Sequence, residues 1–244
     1  MAELTGDLKK TADGFLADVR EAFGDELSSV IVYGAAARNE KSKQPYINFL
    51  VAVGDNTPSE LAHCSKYMKQ WNKKLIAVPL FITPGYIEKS LDTFPLEFMD
   101  MATSYFVVYG EDMLQGLEYR SRDVRNACER EIKGKLLHLR AEYLYLRGNA
   151  KGLIDLVNRS LATFRMLFAG ALYLRKRETP GTTEAIIDAV TEEYGLDIKL
   201  FQKLFAVGKG EIKIDDTEAD ELFDKYVEEI DKLSLEIDFM YASE

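Results

Sequence analysis

Gly34, Ala35, Arg38 and Asn48 are the residues of this chain whose types and spacing could do chemistry. Gly34 closes the apolar, β-branched run Val30-Ile31-Val32-Tyr33 and is followed by Ala35-Ala36-Ala37-Arg38. A polar loop then leads to a second apolar run, Tyr46-Ile47-Asn48-Phe49-Leu50-Val51-Ala52-Val53. The pattern reads as strand, turn, short helix start, loop, strand. Glycine at such a break lets the backbone turn tightly and approach a ligand. The free N–H groups of Ala35 to Ala37 would then point at an anion, most often a phosphate. Residues 46 and 48 are two apart on a strand and project from one face.

The stretch resembles the signature of the nucleotidyltransferase superfamily, the polymerase-beta-like enzymes that move a nucleoside monophosphate from a triphosphate onto an acceptor. The family pattern is a hydrophobic strand, Gly-Ser, a short helix often carrying Ala-Arg-Gly, and about ten residues later Asp-x-Asp opening the next strand. On this chain the glycine is Gly34, the serine position is Ala35, the Ala-Arg pair is Ala37 and Arg38, and the aspartate positions are Tyr46 and Asn48. The resemblance implies a mixed sheet followed by a helical bundle that closes a nucleotide cleft, as in kanamycin-type nucleotidyltransferases. The fold class expected is therefore α/β followed by all-α.

The departure lies in the metal ligands. In the family two carboxylates on one strand face hold a pair of Mg2+ ions against the triphosphate. Here that face offers a phenol and an amide, and Mg2+ is a hard cation that prefers carboxylate, phosphate and water. The third family carboxylate comes from a later strand, for which Ile76 to Thr83 is the candidate, yet no acidic residue stands between Glu60 and Glu88. Asp55 is seven residues beyond Asn48, roughly 23 Å along an extended chain. Glu40 lies in the intervening loop, and one carboxylate does not make a two-metal centre. The expectation is a nucleotidyltransferase fold without its catalytic apparatus and without a bound cofactor. Mg2+ and a nucleoside triphosphate enter only if displaced carboxylates restore transfer.

The elements that must position these residues follow from periodicity. Asp7 to Phe23 reads as a helix with Asp7 as N-cap, covering the first strand. A turn at 54–58 starts a helix to about Lys73, with Leu61, Cys64, Met68 and Trp71 on its buried stripe. Pro79 inside the apolar run Ile76 to Thr83 argues for an edge strand. Short helices to Ser90 and over Leu96 to Ala102 precede a strand at Tyr105 to Tyr109. Glu97 and Asp100 read as an exposed helix face. Gln115 to Tyr119 is the expected boundary between a nucleotidyltransferase-like domain, residues 1–115, and a helical domain, residues 120–244.

In the second part, Ser121 to Arg147 is one long helix with Val124, Cys128, Ile132, Leu136 and Leu139 on its apolar stripe, beside a row of Arg122, Arg125, Glu129, Lys133 and Arg140. That row is an ion-paired surface, or a basic face for a triphosphate if it lines the cleft. The helix over Lys151 to Arg175 is apolar on nearly every side and should be the centre of a bundle. Shorter helices follow at Glu184 to Tyr194 and Ile198 to Phe205, and Asp216 or Thr217 caps the last one.

A net charge of −10 over 244 residues argues against docking on nucleic acid or an anionic membrane. Cys64 and Cys128 lie far apart with no zinc-type spacing, and His63 and His138 stand alone, so neither a His-Cys metal site nor a Ser-His-Asp site has material. Met1 to Lys10 lacks an apolar signal core, and free thiols fit a cytoplasmic setting. Partners then reduce to a nucleotide or small anion, a protein, or a second copy of the chain. Three functions stand open: anion or partner binding by a degenerate cleft, transfer with displaced carboxylates, and a structural role.

Overall fold

The computed structural model describes residues 4, 6–38 and 46–240; Glu40, weighed above, lies outside the described residues. The chain divides into two compact units, Met1–Asp92 with Asp100–Glu118, and Thr93–Met99 with Tyr119–Glu244.

The first unit is built on a four-stranded mixed sheet of β1 (Leu27–Tyr33), β2 (Asn48–Val53), β3 (Leu80–Ile82) and β4 (Tyr105–Gly110), in the order β3-β2-β1-β4. β1 is antiparallel to both β2 and β4, and β3 runs parallel to β2 at the edge. β3 begins only after Pro79, which cannot donate to a ladder, so the expected strand is trimmed to three residues.

α1 (Gly6–Phe23) lays Ala12, Phe15, Val19 and Phe23 on one face of this sheet, against Val30, Val32, Phe49 and Val51. Asp7 sits inside its first turn and not at the cap. The expected helix to Lys73 is broken into α2 (Pro58–Leu61), a 3-10 segment (Ala62–Tyr67) and α3 (Met68–Lys73). Cys64, Tyr67 and Trp71 are buried there, with Leu61 and Met68 packed half-buried against the same cluster, and Tyr67 is the inward residue that the expected stripe lacked. Trp71 is 1% exposed, lies against Phe15, and donates from Nε1 to Asp18 at 2.8 Å. α4 (Tyr86–Ser90) and α5 (Pro95–Thr103) lead to β4.

The second unit is helical: α6 (Ser121–Leu146), α7 (Ala150–Leu174), α8 (Thr183–Glu193), α9 (Ile198–Gly208) and α10 (Asp216–Phe239). α7 is the central member, buried along its length from Leu153 to Leu172, and packs on α6, α8, α9 and α10. The row on α6 is ion-paired: Glu129 meets both Arg125 at 3.0 Å and Lys133 at 2.7 Å, and Lys133 also reaches Asp238 on α10 at 3.0 Å.

Cys64 and Cys128 are both free and buried. Cys128 is fully buried among α6 and α7 side chains, and burial pushes its thiol up to about 12. The unfolded thiol ionises near pH 8.5. Stability contributed by keeping it neutral is therefore complete below that pH and is lost as pH rises towards the folded value. From about pH 8 to about pH 9.5 this one group should lower stability by about 1 kcal/mol. Urea unfolding of Cys128→Ala over the same range should show a shallower decline than the parent; equal slopes would contradict the assignment.

Candidate functional site

β1 delivers the chain to Gly34, whose φ of +79° is a conformation that favours glycine. A single 3-10 turn, Gly34–Ala36, follows. The N–H groups of Ala37 and Arg38 both donate to the Gly34 carbonyl, the latter at 3.0 Å, so the turn is closed on itself. Register then brings the second strand to it: Tyr33 is opposite Asn48. A Cβ on residue 34 would stand 3.2 Å from Asn48 Nδ2, closer than nearly all real Cβ contacts. Gly34 and Asn48 are thus brought together, with Ala35 half-buried beside them. Tyr46, 49% exposed, precedes the bridge between Ile47 and Ile76 that starts β2 against the β3 segment.

Arg38 turns inward. Its side chain is 8% exposed and its Nη1 lies 3.7 Å from Asp100 Oδ2, itself 24% exposed. Asp100 is therefore not part of an exposed helix face; it stands one turn after buried Leu96 on the same side of α5, a spacing that could have signalled its inward position.

The same end of the sheet carries two further tyrosines. Tyr33 is half-buried, and burial pushes its phenol up to about 12. Tyr105, its register partner on β4, donates to Asp112 Oδ2 at 3.0 Å; burial and that carboxylate push its phenol to about 12 as well. Both are neutral hydrogen-bonding groups at physiological pH. A cavity of about 730 Å3 opens along β4, with Lys9, Asp13, Ala37, Thr103, Tyr105 and Asp112 among its lining, and Gly34, Ala35, Arg38 and Asn48 are not part of that lining. Sequence spacing gave no sign of it, because it forms where α1, the turn after Gly34 and β4 converge.

The carboxylates at this end, Asp13 and Asp112, line the cavity, whereas Gly34, Ala35 and Asn48 offer only backbone and amide groups. Neutral phenol and amide oxygens are poor Mg2+ ligands. β3 contributes Leu80, Phe81 and Ile82, and among the described residues no three His, Cys, Asp or Glu side chains gather closely enough to hold a metal ion.

No protein-family model matches the chain. No curated protein matches it either. Among solved structures, it is similar to the spectinomycin adenyltransferase AAD(9) from Enterococcus faecialis, whose crystal structure holds ATP and spectinomycin. The likeness covers 94% of this chain and 98% of that one, with a TM-score of 0.53 at 11% sequence identity. At that identity the likeness speaks for the fold. With its mixed four-stranded sheet and helical C-terminal part, the chain has the nucleotidyltransferase fold.

Proposed function

We propose that this protein is a nucleotidyltransferase-fold protein that does not catalyse metal-dependent nucleotidyl transfer and binds a nucleotide or other small anion at the Gly34 turn. The observation that carries this reading is that the Asn48 amide nitrogen occupies the space beside Gly34, 3.2 Å from where a side chain on residue 34 would begin. Where the resemblance would put a carboxylate facing two metal ions, a neutral donor stands against the turn. A carboxylate repels a triphosphate unless a cation intervenes, whereas an amide N–H donates to it directly. Gly34 and Ala35 would supply backbone N–H groups and Asn48 its side-chain amide, while Arg38, buried against Asp100, would join them only on leaving that carboxylate. The adenyltransferase of the same fold holds ATP in its crystal structure, which supports a nucleotide as the anion to try first.

The experiment has two readouts on the full chain. ATP is titrated calorimetrically in EDTA and again in excess Mg2+, and labelled ATP is incubated with Mg2+ and a panel of aminoglycosides and proteins. Binding of equal strength in both titrations, with no transfer, is the expected result. Transfer would overturn the reading in favour of displaced carboxylates. Absence of any binding would leave a structural role.

A further inference from the structure

The main chain and the side chain of Arg38 serve different partners. Its N–H donates to the Gly34 carbonyl at 3.0 Å, which roots the residue in the turn. Its guanidinium points inward: the side chain is 8% exposed, and Nη1 lies 3.7 Å from Asp100 Oδ2. Ala37, one residue earlier, lines the cavity along β4, and Arg38 does not. The cation nearest in sequence to the turn is thus held by a carboxylate of its own chain.

A guanidinium stays buried only while negative charge answers it, because an uncompensated charge in the interior is strongly destabilising. Asp100 supplies such a charge from α5. A phosphate offers more: several negative oxygens, in a geometry that arginine meets with two parallel N–H bonds. Asp100 and a bound phosphate are therefore rivals for one side chain. While the carboxylate holds it, the turn has only backbone and Asn48 donors; once the phosphate holds it, a charge-assisted bond is added. The exchange needs only rotations of the arginine side chain, since the backbone of residue 38 already stands at the turn.

We propose, resting on the anion-binding reading above, that the Arg38–Asp100 ion pair is an autoinhibitory latch on the Gly34 turn, opened by the phosphate of the nucleotide that binds there. With Asp100 in place, the apparent affinity is reduced by the fraction of molecules in which Arg38 has turned outward. Asp100→Asn keeps the shape of the side chain, removes the rival charge and makes the inward position unfavourable for a cation, so the affinity rises. If Asp100 served instead to orient Arg38 towards the ligand, the same substitution would lower it.

The test titrates ATP calorimetrically, in EDTA, into the full-length parent, Asp100→Asn, Arg38→Gln and the double variant. Asp100→Asn should bind about tenfold tighter than the parent, and the gain should vanish in the Arg38→Gln background. A readout on the parent alone does not depend on how the variants fold: the Arg38 Nε–H resonance in a proton–nitrogen NMR spectrum, assigned through its own backbone, should shift as ATP saturates the protein. Affinity in Asp100→Asn equal to or weaker than the parent's, a gain that survives Arg38→Gln, or an Arg38 resonance unmoved at saturation overturns the latch and leaves ATP binding at the turn standing. Absence of ATP binding in the parent and in Asp100→Asn alike overturns both.

Discussion

Replacing Trp71 with alanine is expected to destabilise the α/β unit by about 3–5 kcal/mol, the cost of removing a large aromatic side chain from a packed core. Trp71 is 1% exposed, with its ring centroid 4.8 Å from that of Phe15 and 5.8 Å from that of Tyr67. Phe15 in turn stacks on Phe49 at 3.8 Å. The chain of rings ties α1 and α3 to the strand residue that follows Asn48, so its loss loosens the floor of the site as well as the core. The indole also donates to Asp18 at 2.8 Å, and alanine leaves that carboxylate without this donor. A fall in melting temperature of about 10 °C or more is the measurable outcome. Trp71→Phe, which keeps a ring and loses the N–H, should recover more than half of it. A melting temperature within a degree or two of the parent in Trp71→Ala would contradict this account of the core.

The second large effect is expected at Gly110, where β4 ends. Its φ is +76°, and a Cβ there would stand 1.9 Å from the carbonyl oxygen of Ser28 and 2.9 Å from its carbon. Neither atom belongs to a side chain that could swing aside. Alanine must therefore displace β1 or β4 just where the Ser29 hydroxyl donates to the Glu111 carbonyl at 2.7 Å. The left-handed conformation alone costs about 1–2 kcal/mol, and forced backbone movement adds about 1–3 kcal/mol. Gly24, with φ of +52° and open space around a would-be Cβ, isolates the first part. Gly110→Ala should thus lose clearly more stability in urea unfolding than Gly24→Ala. Equal losses would show that the corner yields freely.

The sheet, the bundle and the turn were legible from residue patterns because burial is periodic and these elements are amphipathic. β1 and β2 show continuous apolar runs since both faces are covered, and α7 reads as central because its apolar residues leave no solvent side. Local chemistry was less legible where neighbours compete. Asp215, Asp216 and Thr217 are all able to cap α10, and Asp215 does so because Glu218 three residues on returns the bond to its backbone. Asp100 looked like a surface acid because its partner, Arg38, is sixty-two residues away in sequence, and no local pattern encodes such a pair. The 3-10 segment at Ala62–Tyr67 likewise follows from tertiary packing of Tyr67 and Trp71, not from propensity.

For the site itself, the resemblance singled out Gly34 and Asn48 as candidates, and the structure adds that the Asn48 amide fills the space a side chain on residue 34 would need and that Arg38 is directed at Asp100. On the proposed reading the neutral Asn48 amide would donate to a bound anion without a bridging metal ion, while the Arg38 charge is met by Asp100.

Incubation of the purified full chain with labelled ATP and Mg2+, followed by separation of any labelled acceptor, tests that reading most directly. The account predicts no label transferred above the protein-free control, together with ATP affinity that is the same in EDTA as in Mg2+. Label on any acceptor, or ATP binding that appears only when Mg2+ is supplied, would contradict it.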